Sequence, residues 1–90
     1  MTRKTFEVIL HKKAVKILKK LPKDISLRVI KALEELEYDP FYGDIKPLKG
    51  LKKVFRKRVG KIRIIYYIDF EQKKIVVLKI SYRKKAYRSL

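Results

Sequence analysis

Between residues 53 and 82 apolar and polar side chains alternate with a period of two, interrupted by turn-forming sequence at Gly60-Lys61 and again at residues 70–72. That period places successive side chains on opposite sides of an extended chain, and no helix accommodates it. The segment therefore predicts three antiparallel strands, at residues 53–59, 62–69 and 73–82. On the middle strand Ile62, Ile64, Tyr66 and Ile68 share a face, and on the last Val76, Leu78 and Ile80 are expected to share it too. A sheet with one such face must be covered, and the cover has to come from the N-terminal half.

Residues 5–10 also alternate, with Phe6, Val8 and Leu10 on one side, and read as a strand. From Lys12 the period becomes helical. Ala14, Val15, Ile17, Leu18 and Leu21 form one stripe, and Lys12, Lys13, Lys16, Lys19 and Lys20 fill the other face. Pro22 ends this helix, and Asp24 is expected to cap a second one running to about Tyr38 with Ile25, Val29, Ile30, Leu33 and Leu36 as its core stripe. Residues 39–50 contain Pro40, Pro47, Gly43 and Gly50 and read as a loop, with Tyr38, Phe41 and Tyr42 covering the helix end. The predicted class is α+β: an N-terminal strand, a two-helix hairpin and a three-stranded antiparallel meander, β-α-α-β-β-β, with a short basic tail at residues 83–90. A length of 90 residues predicts a single domain, 1–90, with one core. Leu, Ile, Val and Phe supply 32 of those residues, too many for a disordered basic tail.

The chain carries 26 Lys and Arg against 9 Asp and Glu, a net charge of +17. The excess is segregated: +7 over residues 1–23, −4 over 24–44 and +14 over 45–90. A basic half of this kind is expected to meet phosphate. There is no cysteine and only one histidine, His11, so disulfides, thiolate metal sites and His-cluster metal sites are not expected, nor is a cofactor. His11 stands where the first strand meets the first helix and reads as a cap. The longest apolar stretch is too short for a membrane span, which makes a cytoplasmic protein the expectation.

Period-two alternation puts Arg56 and Arg58 on the face opposite the core, next to Arg63, Ile65 and Tyr67 of the neighbouring strand, while Lys57 points to the other side. Cleavage of RNA needs a base for the 2′-hydroxyl and cations for the phosphate. Cations abound on this face. Carboxylates lie almost entirely on or around the second helix, apart from Glu7, Asp69 and Glu71, so no Glu–His or His–His pair is on offer. Arg83 and Tyr87, four residues apart after the last strand, could both reach back over the same face, the alternative being a solvated basic tail that happens to contain tyrosine.

Two runs, VFRKRVGKIRIIYYI and ISYRKKAY, together with LPKDI at the helical turn and KPLKGLKK before the sheet, resemble the RelE/ParE superfamily of type II toxin–antitoxin toxins, most closely its RelE branch. The resemblance spans essentially the whole chain and implies a RelE-like, microbial ribonuclease-type fold. It implies a toxin that cleaves messenger RNA in the ribosomal A site without a metal, the 2′-hydroxyl attacking to leave a 2′,3′-cyclic phosphate and a 5′-hydroxyl. By matching motifs, Arg56 and Arg58 take the places of the two basic residues on the second strand of the family's sheet hairpin, Arg63 that of the arginine after its Gly turn, and Arg83 and Tyr87 those of the C-terminal arginine and tyrosine. Some members have lysines at the first two positions. Arginine stays protonated, so Arg56 and Arg58 are expected to bind phosphate only, leaving Tyr87 as base, orienter of the 2′-hydroxyl, or platform for a stacked base. Lys12, Lys13, Lys16, Lys19, Lys20, Lys52, Lys53, Lys84 and Lys85 would hold ribosomal RNA. The implied partners are an acidic RelB-like antitoxin, in a heterotetramer of two toxins and two antitoxins, the ribosome with its mRNA, and operator DNA only through the antitoxin. Two alternatives stand beside this: a ParE-like inhibitor of DNA gyrase without catalytic residues, and a noncatalytic nucleic-acid-binding module.

Overall fold

The computed structural model describes residues 3–82. Its elements run β1 (Glu7–Leu10), α1 (Lys12–Lys20), α2 (Lys23–Tyr38), β2 (Asp44–Pro47), β3 (Val54–Val59), β4 (Ile62–Asp69) and β5 (Lys74–Tyr82). They form one five-stranded sheet in the order β1-β5-β4-β3-β2. The expected meander is present as β3, β4 and β5, each antiparallel to the next. The sheet is nevertheless mixed, because β1 lies parallel to β5, with Glu7 opposite Lys74 and Leu10 opposite Val77. A parallel neighbour requires a long crossover. Here the first part of that crossover is the helical hairpin, which lies on one face of the sheet.

The middle strand alternates as expected: Ile62, Ile64, Tyr66 and Ile68 are all buried. They pack with Val29, Ala32, Leu33 and Leu36 of α2 and with Ala14 of α1, and Phe6 closes the end below β1. The core stripe of α2 therefore includes Ala32, and Ile30, expected in it, is 41% exposed. Burial on β5 also departs from expectation. Its core residues are Ile75, Val77 and Ile80, whereas Val76 faces the other way and Leu78 is exposed. The cause is a bulge: Tyr66 pairs with Val77 but Ile65 pairs with Lys79, so Leu78 is an extra residue that reverses the alternation.

Residues 39–50 are not wholly a loop. Asp44–Pro47 forms β2, an edge strand antiparallel to β3, with Asp44 opposite Arg58 and Pro47 opposite Phe55. Pro47, which has no N–H to donate, is tolerated at such an edge. β3 starts at Val54 rather than Lys53, which stands in the left-handed region (φ 60) and accepts from the Ile68 N–H at 2.9 Å. Asp24 is not the cap of α2: Pro22 occupies that position with no side-chain cap, and Asp24 sits in the first turn, where its charge suits the helix dipole. His11 does cap α1, its Nδ1 accepting from the Lys13 N–H at 3.1 Å.

The loop between α2 and β2 is held from both sides. Phe41 lies edge-on to Phe55 at 5.2 Å and parallel to Phe70 at 6.3 Å between ring centroids, so its ring packs on β3 and the turn after β4, and Tyr38 and Tyr42 are exposed. Beneath it the buried Tyr66 O–H donates to the Pro40 carbonyl at 2.7 Å. Burial first, and the Asp39 carboxylate second, push this phenol above the ordinary tyrosine range. Tyr66→Phe leaves the Pro40 carbonyl buried without its donor and is expected to cost about 1–2 kcal/mol, read as a lower denaturation midpoint at unchanged slope.

Candidate anion site on the helix-free face of the sheet

Strand register decides which side chains meet on the face that the helices leave uncovered. Two rows cross it. Asp44, Arg58, Arg63 and Ser81 lie side by side on β2, β3, β4 and β5, and the adjacent row is Lys46, Arg56, Ile65 and Lys79. Arg56, Arg58 and Arg63 are thus brought together as their spacing predicts. The hairpin that aligns them turns at Gly60, whose φ of +58 favours glycine.

Arg58 and Arg63 are direct cross-strand partners. Like charges in that position destabilise a sheet unless an anion lies between them. Both side chains are half-buried, and the Nε of each is buried without a hydrogen-bond acceptor among the described residues. An orphaned buried donor costs on the order of 1–3 kcal/mol. Two guanidinium groups with donors unspent, on one face and in register, match the bidentate geometry with which arginine holds phosphate. Arg56 is placed differently. It is only 5% exposed, and its Nη1 stands 3.7 Å from Asp44 Oδ1.

Lys57 is on the core side, as the alternation requires, and is 3% exposed. Its Nζ donates to Glu35 Oε1 at 2.9 Å and to the Ala32 carbonyl at 3.3 Å, and stands 5.5 Å from the centre of the Tyr42 ring. A buried ammonium needs such partners. It ties β3 to α2 and fixes the strand on which Arg56 and Arg58 are carried. Gly43 (φ +101) passes so close that a Cβ there would lie 3.2 Å from Lys57 Cε.

A cleft of about 1210 Å³ runs from this face to α1. Its cations are Lys13, Lys16 and Lys20 of α1 with Arg63 and Lys79, and Ile17, Ile65 and Leu78 contribute apolar lining. Of the lysines expected to hold RNA, Lys13, Lys16 and Lys20 therefore line the cleft. Lys12, Lys19, Lys52 and Lys53 are exposed but lie outside its lining. Arg83, Lys84, Lys85 and Tyr87 fall outside the described residues. Sequence reasoning missed three members of the face. Lys79 already falls on this side by its alternation with Ile80 but was not singled out, and Asp44 and Lys46 were hidden by the reading of residues 39–50 as a loop. The one available signal was Ile45, a lone apolar residue between two charged ones.

Residues 8–87 match the family model described as ParE toxin of type II toxin-antitoxin system, parDE. A Methanocaldococcus jannaschii protein named "Putative toxin RelE1" is 37% identical over 87 residues, 93% of this chain and 97% of that relative. Among solved structures, RelE in the archaeal RelE–RelB complex from Pyrococcus horikoshii OT3 is 34% identical with a TM-score of 0.78, covering 88% of this chain and 96% of that one. The toxin–antitoxin complex RelBE2 from Mycobacterium tuberculosis gives 31% identity and a TM-score of 0.78, over 88% and 99% of the two chains.

Proposed function

Since the chain belongs to the RelE/ParE family of type II toxin–antitoxin toxins, we propose that its helix-free sheet face is the active site of a ribosome-dependent endoribonuclease that cuts mRNA in the A site. The observation that carries this reading is the Arg58–Arg63 pair, with both Nε donors buried and unspent. In the reaction the 2′-oxygen forms a bond to phosphorus, the bond from phosphorus to the 5′ oxygen breaks, and charge grows on the non-bridging oxygens. Fixed donors aimed at those oxygens stabilise the transition state more than the ground state. Arg58 and Arg63 are such donors, and Arg56 adds positive potential beside them. Arg83 and Tyr87, matched to the family's ending, would complete the site from the C-terminal side. The lysines of α1 supply salt-dependent affinity for ribosomal RNA without sequence preference.

The net charge of +17 needs a counterpart when the ribosome is not bound. An acidic antitoxin meets that need, and the relatives from P. horikoshii and M. tuberculosis were solved in complex with theirs. A RelB-like partner, in a heterotetramer that reaches operator DNA through the antitoxin, is the assembly we propose here. A second reading, inhibition of DNA gyrase, is favoured by one observation: the matching family model carries the ParE name. The ending ISYRKKAY favours the RelE reading. The test is to incubate the protein with programmed ribosomes and, separately, with gyrase and supercoiled plasmid. Cuts mapped to the A-site codon with no trapped gyrase–DNA complexes are expected; trapped complexes without mRNA cuts would reverse the assignment.

A further inference from the structure

Among the described residues the arginine row has cations and no base, and Tyr87, which the family resemblance offers as base, orienter or stacking platform, lies outside them. Arg56, Arg58 and Arg63 stay protonated at any working pH and offer no lone pair. The row that holds Arg58 and Arg63 continues, however, onto β2, where the residue opposite Arg58 is Asp44. Adjacent strands lie about 4.8 Å apart, so a group on phosphate held between Arg58 and Arg63 is within one to two strand spacings of that carboxylate. Asp44 Oδ1 stands 3.7 Å from Arg56 Nη1, too far for a hydrogen bond yet close enough for the ion pair to orient the carboxylate. The Asp44 side chain is 56% exposed, so an incoming chain can reach it.

No other carboxylate of the described residues is so placed. Asp69 lies at the far end of β4, opposite Lys74, and accepts from the Gln72 N–H at 3.0 Å. Glu35 is on the core side, bound to Lys57. The charged groups facing Asp44 are Lys46 on its own strand and Arg56 and Arg58 on β3, with Arg63 one strand beyond. These offset the repulsion between a carboxylate and a phosphate.

We propose that Asp44 is the general base of the reaction, accepting the 2′-hydroxyl proton of the nucleotide whose phosphate lies on Arg58 and Arg63. The proton passes from the 2′-oxygen to an Asp44 carboxylate oxygen as the bond from the 2′-oxygen to phosphorus forms. The bond from phosphorus to the 5′ oxygen breaks, the leaving oxygen keeps the electron pair and takes a proton from water, and Asp44 returns its proton to the resulting hydroxide. This inference rests on the ribonuclease reading above.

Single-turnover cleavage of ribosome-bound mRNA at saturating protein tests it with wild type, Asp44→Asn and Asp44→Glu. Asp44→Asn keeps the size of the side chain on an exposed edge strand, and an unchanged thermal melt is the control for folding. The expected loss of the cleavage rate is about 100-fold or more. Affinity for programmed ribosomes is expected to stay within about threefold of wild type, because the phosphate contacts of Arg58 and Arg63 are untouched. The residual rate of the Asn variant should rise tenfold per pH unit as hydroxide replaces the lost base, and Asp44→Glu should recover part of the rate. A wild-type rate in Asp44→Asn, or a loss confined to affinity, would overturn the assignment while leaving the ribonuclease reading intact. Wild-type protein that makes no cut would remove both.

Discussion

Arg63→Ala is expected to lower the rate of mRNA cleavage on programmed ribosomes by about 100- to 1000-fold, the usual loss when one preorganised donor to a developing oxyanion is removed. Arg63 is the partner of Arg58 across β3 and β4, its Nε is buried without an acceptor, and it also lines the cleft that leads to α1. No other arginine of the described residues both stands in that row and lines the cleft. Arg63→Lys retains the charge but not the planar fork, so it is expected to recover only a small part of the rate. The fold should be indifferent to the change, because removing one of two like charges placed directly opposite relieves repulsion. An Arg63→Ala protein with an unaltered or raised melting temperature and near-normal cleavage would show that the phosphate is held elsewhere.

The largest effect on stability is expected at Leu36. This residue is fully buried on α2 and packs in the same cluster as Ile64, Tyr66 and Ile68 of β4. Leu36→Ala removes the apolar contact and leaves a cavity that a sheet on one side and a helix on the other cannot collapse to fill. The expected cost is about 3–4 kcal/mol. For a chain of this size that is a fall in melting temperature of roughly 12–32 °C. Leu36→Met, close in volume, is expected to cost less than about 1.5 kcal/mol. The comparison separates packing from helix propensity, since alanine is the better helix former. A cost below about 1 kcal/mol for Leu36→Ala, measured by denaturant unfolding, would mean that α2 does not seal the core in this way.

What could be read from residues alone follows from where the two faces of an element differ most. β4 was legible because Ile62, Ile64, Tyr66 and Ile68 face the core while Arg63 and Tyr67 do not, and the contrast repeats over eight residues. Its hairpin with β3 set the register by its Gly60 turn, and so the meeting of Arg56, Arg58 and Arg63 was legible as well. The bulge was not. Residues 75–78 are Ile-Val-Val-Leu, with no polar member to mark a face, and only pairing with β4 selects Ile75 and Val77 for the core. On α2, Ile30 looks more like a core residue than Ala32 does. Helical spacing sets Ala32 in one stripe with the buried Val29, Leu33 and Leu36 and leaves Ile30 at its margin.

β2 was missed for a related reason. Four residues ending in proline, with one apolar side chain among them, carry too weak an alternation to stand out from a loop rich in Gly and Pro. Its consequence for the site is large, because β2 brings Asp44 into the arginine row. Lys57 is the opposite case. Alternation turned it away from the arginines, but its burial against Glu35 and Tyr42 depends on where α2 ends, which no local pattern encodes.

The central claim is that the arginine row holds the scissile phosphate of A-site mRNA while the 2′-hydroxyl beside it attacks. It is tested most directly with two messages bound to programmed ribosomes, identical except that one carries a single 2′-deoxynucleotide at the mapped cut. The all-ribose message should be cut to a 2′,3′-cyclic phosphate and a 5′-hydroxyl by wild-type protein and very slowly by Arg63→Ala. The 2′-deoxy message should bind equally well and remain whole. Cutting of the 2′-deoxy message at the same position, or cutting by Arg63→Ala at the wild-type rate, would contradict the account.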